Sequence, residues 1–324
     1  DDVYEAGPLG LATGRLGVGM LVDFEGNDQY HLAAGSGGTG FAGIGLLVDQ
    51  EGDDRYEGSR FTQGAAIGGI GLLLDRSGND DYRSFGYAIG FGGPLGIGAV
   101  VDLTGNDGYQ CGQRYASGYN QVDAPDAKPG EARYQYDCFG IGAGVGQRLL
   151  PKQEPPAVED VAGGIGLVLD QEGNDRYTSS NFSQGVGYYF GAGIKMDERG
   201  NDVHEAARYG HGAGAHFGVG LFIDRAGVDR YGSTGPFYNG AAAWDRSVAL
   251  AVDDGADDDI YNLQRSTGLG IADHHAWSLF VDAGGRDRYL VAKGLGSAWH
   301  GSVSGFFDLG GEDRYETATP ARQG

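Results

Sequence analysis

The strongest constraint on the fold is a short phrase, Asp-x-x-Gly-x-Asp-x-Tyr, that returns along the whole chain. With the first Asp of each copy as position 0, Gly falls at +3, a second Asp at +5 and Tyr at +7. Clean copies begin at Asp23, Asp49, Asp75, Asp102, Asp170, Asp224, Asp282 and Asp308. The copy at Asp197 keeps Gly200 and Asp202 but carries His204 in the Tyr place, and the copy at Asp253 holds one extra residue before Tyr261. The intervals between copies are 26, 26, 27, 68, 27, 27, 29, 29 and 26 residues. Units this short cannot bury an apolar face alone and must stack on their neighbours, so the repeat overrides length as a guide to domain count. One repeat domain spanning residues 1–324 is expected.

Each unit reads as strand, turn, strand and return. The apolar runs Leu46-Leu47-Val48, Leu72-Leu73-Leu74 and Leu221-Phe222-Ile223 are short and bounded by Gly and Asp, which suits strand and not helix. Asp-x-x-Gly-x-Asp is a tight turn. A Tyr-led polar strand follows, then a glycine-rich return such as Gln63 to Gly69. No sustained period of ~3.6 residues appears, so almost no helix is expected. Two architectures fit: an all-β solenoid of about eleven rungs of 26–29 residues, or a propeller-like array of hairpins. The solenoid explains more. It tolerates loops at one corner, its narrow interior suits glycine, and it lets Tyr30, Tyr56 and Tyr82 stack as a ladder about 4.8 Å apart.

The 64 glycines do not fall at every third position and there are only 9 prolines, which excludes collagen. No apolar run is long enough to span a membrane. The formal charge of −22 makes nucleic acid and anionic membranes poor partners. Regularly placed carboxylates at such density call for neutralisation by bound cations.

The 68-residue interval suggests loop insertions within 117–162: a first around Ser117 to Asp137 and a second from Gln147 to Ala162, with Phe139 to Gly144 restoring the return between them. Cys111 and Cys138 flank the first, which points to one disulfide at its base and an oxidising compartment. The opening Asp1-Asp2-Val3-Tyr4 matches the second half of a unit, which suggests a piece of a larger parent chain.

The paired aspartates are the first candidate site: Asp23 and Asp28, Asp49 and Asp54, Asp75 and Asp80, Asp102 and Asp107, Asp170 and Asp175, Asp197 and Asp202, Asp224 and Asp229, Asp282 and Asp287, Asp308 and Asp313. Two carboxylates and several carbonyls around one turn, repeated on stacked rungs, form a hard-oxygen set of the kind Ca2+ takes. Alternatively, Asp at 0 simply caps the turn by accepting backbone N–H groups. The segments Gly78-Asn79-Asp80-Asp81-Tyr82 and Gly173-Asn174-Asp175-Arg176-Tyr177 resemble hemolysin-type (RTX) calcium repeats. That resemblance implies a secreted β-roll holding calcium between turns. It covers five or six residues per unit, with one Gly-x-Asp per 26 residues instead of one per nine.

The second candidate comes from counting back eight residues from each Asp at 0. Early units hold Arg15, Phe41, Ile67 and Pro94 there; later ones hold Tyr189, His216, Asp245, His274 and His300. Stacked rungs would bring His216, Asp245, His274 and His300 into one column flanked by Asp273, His275, Trp244 and Trp299, with ligand types suited to Zn2+ or to acid–base work. A hydrogen-bonded polar ladder is the structural alternative. His204 and His211 fall on other columns, as ladder or surface residues.

These features point to a secreted or cell-surface solenoid with a structural, assembly or adhesive role, calcium-stabilised and self-associating into filaments or stacked within its parent chain. The alternative is a β-helix enzyme or binding module acting on polysaccharide through the His/Asp column. Gly-x-Gly-x-x-Gly patterns occur but carry no dinucleotide signal in a chain this rich in glycine with no helix following them, and Walker and zinc-cysteine signatures do not occur.

Overall fold

A computed structural model describes residues 1–131, 133–147, 162–235, 238–264 and 266–317. Its chain is a β-solenoid of about eleven turns. Among these residues the Tyr-led strands, such as Arg55–Arg60 and Asp81–Gly86, form an eleven-stranded sheet, and the apolar runs, such as Ile70–Asp75 and Ile97–Asp102, form a ten-stranded one. Short return strands such as Ala66–Ile67 and Gly187–Tyr188 make the third face. Each strand pairs in parallel with its equivalent one repeat away: Leu47 meets Leu73, then Val100, Val168, Lys195 and Phe222 in turn. A propeller would pair hairpin neighbours antiparallel, so that alternative is excluded.

The strands alternate, and the interior is narrow. In the ten-stranded sheet Gly45 and Leu47 point inward and are followed by Asp49, while Ile44 and Leu46 point outward. Glycine is needed at the Gly45 position because a Cβ there would run into the Thr39 carbonyl of the return segment; Gly71 and Gly98 meet Ala65 and Phe91 in the same way. Ala249, Ser278 and Ser304 replace it in the last coils, where the serine hydroxyls donate to the Ala241 and Gly270 carbonyls.

The tyrosine ladder runs from end to end. Tyr4, Tyr30, Tyr56, Tyr82, Tyr109 and Tyr177 stack with ring centroids 4.6 to 4.9 Å apart, and His204 continues the stack to Tyr231. A second aromatic stack, Phe61, Tyr87, Phe139, Phe182, Tyr209 and Tyr238, fills the corner between the Tyr sheet and the return.

The first insertion leaves the coil as Tyr115–Ala116, turns through a short helix at Asn120–Asp123 and rejoins as Tyr136–Gly140, antiparallel to its start. The sulfurs of Cys111 and Cys138 lie 1.99 Å apart at its base. The second insertion, placed at 147–162 by sequence, lies outside the described residues except for its two ends.

Candidate cation column

Both aspartates of the repeat point inward at the corner where the two long sheets meet. Eighteen of the chain's 45 acidic side chains are buried aspartates of this motif, so most of the formal charge of −22 resides in the core and not on the surface.

Two hydrogen-bond ladders hold them. The hydroxyl of Tyr30 donates to Asp49 Oδ2 at 2.5 Å, Tyr56 to Asp75 at 2.6 Å, Tyr82 to Asp102 at 2.6 Å and Tyr109 to Asp170 at 2.7 Å. Each of these tyrosines thus reaches the position-0 aspartate of the following coil and ties the two sheets together, whereas Tyr289 and Tyr315 near the C-terminal end bond to the aspartate of their own coil. In the second ladder the backbone N–H of each +5 aspartate donates to Oδ1 of the next one: Asp28 to Asp54, Asp54 to Asp80, Asp80 to Asp107 and Asp107 to Asp175, each at 2.6 Å. The turn-capping role anticipated for position 0 is seen at Asp23, Asp253, Asp282 and Asp308, whose Oδ1 accepts the N–H two residues on.

Fifteen of the buried aspartates leave one oxygen over. Asp49 has Asp54, and Asp224 has Asp229, within reach of a proton shared between the carboxyls; otherwise Oδ1 of Asp49, Asp75, Asp102, Asp170, Asp197 and Asp224 is buried with no hydrogen-bond donor. So is Oδ2 of Asp28, Asp54, Asp80, Asp107, Asp175, Asp202, Asp229, Asp259 and Asp287. An unsatisfied buried polar atom costs about 1–3 kcal/mol, and more when charged. Fifteen of them would exceed the whole of an ordinary net stability of ~5–15 kcal/mol. The column therefore requires positive charge, from protons or from cations. Burial, reinforced by neighbouring carboxylates, pushes Asp80, Asp175 and Asp229 up to about 10 and Asp75 and Asp170 up to about 7.

Carboxylate oxygens from neighbouring aspartates also lie close together. Asp23, Asp28 and Asp49 each offer a carboxylate oxygen within 4.8 Å of the others, as do Asp54, Asp75 and Asp80, and Asp80, Asp102 and Asp107. Two ligands on opposite sides of a Ca2+ ion lie about 4.6–5.2 Å apart, so the donors are hard oxygens at fitting separations. The groups share members along the column and draw on adjacent coils.

One coil differs. At Asp197 the inward position filled by Val168 and Phe222 on either side carries Lys195, fully buried, with Nζ 2.8 Å from Asp197 Oδ2 and 4.0 Å from the centre of the Tyr177 ring. Burial pulls its pKa down, but Asp197, Asp224 and Asp202 outweigh this and hold it above the usual lysine range. In the same coil His204 replaces tyrosine and places Nε2 2.9 Å from Asp224 Oδ2; burial, aided by Lys195, keeps its pKa far below the usual value. A neutral imidazole protonated at Nε2 thus does the work of the hydroxyl. His211 is also buried and is no surface residue.

The histidine column is brought together, with one correction. His216 Nδ1 lies 2.9 Å from Asp245 Oδ2. His274 and His300 both turn Nδ1 toward Asp273 Oδ1, at 3.0 and 2.5 Å, and their rings are 4.7 Å apart, with Trp244 4.2 Å from His274 on the other side. Asp273, His274 and His300 offer ligand atoms within 4.8 Å of one another. The early equivalents, however, are Leu16, Ala42, Gly68 and Leu95, not Arg15, Phe41, Ile67 and Pro94. The later corner contains two left-handed residues, such as His216 and Phe217 or His274 and His275, where the early corner has one, such as Leu16 or Ala42. Counting back eight residues therefore lands one place apart in the two halves.

Fold and column together define a class: an acidic β-solenoid in which tyrosine and aspartate ladders close a buried line of carboxylates. Comparison of the chain with family models, with curated proteins and with solved structures finds no match.

Proposed function

We propose that this chain is a secreted or cell-surface structural repeat, serving assembly or adhesion, whose interior is held by a column of calcium ions. Two observations carry the reading: fifteen buried carboxylate oxygens receive no hydrogen bond, and aspartates of adjacent coils bring carboxylate oxygens within 4.8 Å of one another. Lys195 supports it, because its coil, the one among the described residues with a buried ammonium, meets the same need for positive charge from within the chain. A scaffold whose carboxylate chemistry is interior and recurs from coil to coil, with Lys195 and His204 as local replacements, serves mechanical continuity better than catalysis. A Cys111–Cys138 disulfide and an extracellular setting, where calcium is abundant and thiols oxidise, belong to the same reading.

The test is thermal unfolding with calcium and with a chelator. Tm rises with calcium concentration, as it must when a ligand binds only the folded form, and falls steeply in chelator. A Tm indifferent to both assigns the column to protons.

A second reading rests on Asp273, His274 and His300: a Zn2+ or acid–base site at the late corner, for which Trp244 and Trp299 would offer stacking surfaces to a polysaccharide. Zinc analysis of the purified chain against His274→Ala checks it; equal, metal-free results remove it.

A further inference from the structure

The outer face of the ten-stranded sheet carries no polar side chain. Each strand turns three positions outward, as Ile70, Leu72 and Leu74 do, and across all ten strands every such residue is aliphatic, Met, Phe, Trp or Gly. In the outermost of the three columns Val18, Ile44, Ile97, Val219, Val248 and Trp277 are 43% to 75% exposed. Nothing among the described residues packs over this surface. Parallel strands that are apolar on both faces belong to sheets covered on both sides, yet this sheet has one side only on its own core. Ten strands about 4.8 Å apart and six residues long at about 3.3 Å each make a face of roughly 700–950 Å2. The largest apolar patch on an ordinary monomer is about 300–600 Å2.

We propose that this face is the interface with a second copy of the same chain, the two ten-stranded sheets packing face to face about a two-fold axis. Its area matches the ~800 Å2 that each partner buries in a standard stable interface. The surface is also self-complementary. Every coil presents the same short series of aliphatic side chains, so two copies turned end for end meet like with like, about 10 Å apart as in a β-sandwich. The rim does not ask for a charged partner, because Arg76 pairs with Gln50, Arg199 with Glu172 and Arg225 with Glu198 between adjacent coils of the same chain. Phe190 and Phe217, stacked 4.8 Å apart at the opposite rim, extend the apolar surface. No lysine or arginine projects from the face to meet lipid headgroups.

The inference names the partner for the assembly part of the functional reading and does not depend on the cations. Sedimentation velocity of the full chain over a dilution series, in calcium and in chelator, is expected to give a dimer mass. Leu167→Lys and Leu250→Lys, each in the middle column of the face, are expected to abolish the dimer while circular dichroism stays unchanged; Thr178→Lys on the opposite sheet leaves it intact. Should the charged variants fold poorly, Leu72→Gln is read instead, with loss of dimer at low concentration. A single-copy mass for the parent chain overturns the proposal, as does a dimer insensitive to the face variants. So does a monomer that floats with phosphatidylcholine vesicles, which would give the face to lipid. A calcium-independent dimer with these sensitivities supports the interface even if the cation reading fails.

Discussion

The ten-stranded and eleven-stranded sheets run through the same coils, in the same parallel register, and share one interior, yet their outer faces are opposites. Outward from the Tyr strands come Arg55 and Glu57, Asp81 and Arg83, and Arg176 with Glu205 of the next coil, paired with one another in reach of water. Outward from the apolar runs come only aliphatic residues, Met, Phe, Trp and Gly. Inside, the two sheets are complementary: one supplies the position-0 aspartates, the other the tyrosines that bond to them. A parallel ladder makes the same backbone demands whichever side chains face outward. The interior is therefore where the fold is determined, and the outer faces are where the use of the fold is decided.

Substitutions that separate inside from outside should differ by an order of magnitude. The largest effect is expected at Lys195→Met, which leaves Asp197 buried without its ammonium; breaking a buried pair costs about 3–5 kcal/mol. Denaturant unfolding should show this loss, and calcium should recover more of it in the variant than in the parent. Next is Tyr82→Phe, which deprives Asp102 of its donor and should cost about 1–3 kcal/mol with the ring stack retained. Smallest is Arg83→Ala on the charged outer face, whose pair with Asp81 lies in water and is worth ~0–1 kcal/mol. If Arg83→Ala costs as much as Tyr82→Phe, the division between interior and outer face is wrong.

The pH dependence sharpens the same division. Without metal, burial and neighbouring carboxylates raise Asp54, Asp107 and Asp202 to about 8 and Asp80, Asp175 and Asp229 to about 10. Unfolded aspartates titrate near ~3.9, so the folded chain holds more protons in the interval between. That contribution to stability is full below ~3.9 and is lost as pH rises through about 8 to 10. In chelator, Tm should fall from about pH 5 to about pH 9, while the rise in Tm on adding calcium should grow, because calcium needs the ionised carboxylates. A Tm in chelator that climbs with pH contradicts this picture of the column.

Much of the fold was legible because the repeat is a spacing, and spacing becomes register when coils stack. The +7 tyrosines could be read as a ladder for that reason, and the turn aspartates as one corner. Whether those aspartates face in or out could not be read: Asp-x-x-Gly-x-Asp looks like a solvated turn, and only the tyrosine hydroxyls reaching Asp49 and Asp75 show that the corner is internal. The second aromatic stack had a signal, an aromatic five residues after the ladder position at Phe61, Tyr87, Phe182 and Tyr209. The outer aliphatic face was written in the unbroken apolar runs, which mark a strand covered on both sides. Lys195 was hidden because a lone lysine in an apolar run normally points to water. The histidine column was found with the early half displaced by one, since a single residue added at a left-handed corner leaves no trace in the motif that sets the count.

Elemental analysis of the purified full chain, after equilibration in calcium and removal of the free ion, tells whether cations hold the column. Several tightly held calcium ions per chain are expected, fewer in Asp80→Asn, whose carboxylate belongs to two of the oxygen groups. A chain that retains no calcium and keeps its Tm in chelator would contradict this expectation, and would leave protons shared between the paired aspartates as what holds the column together.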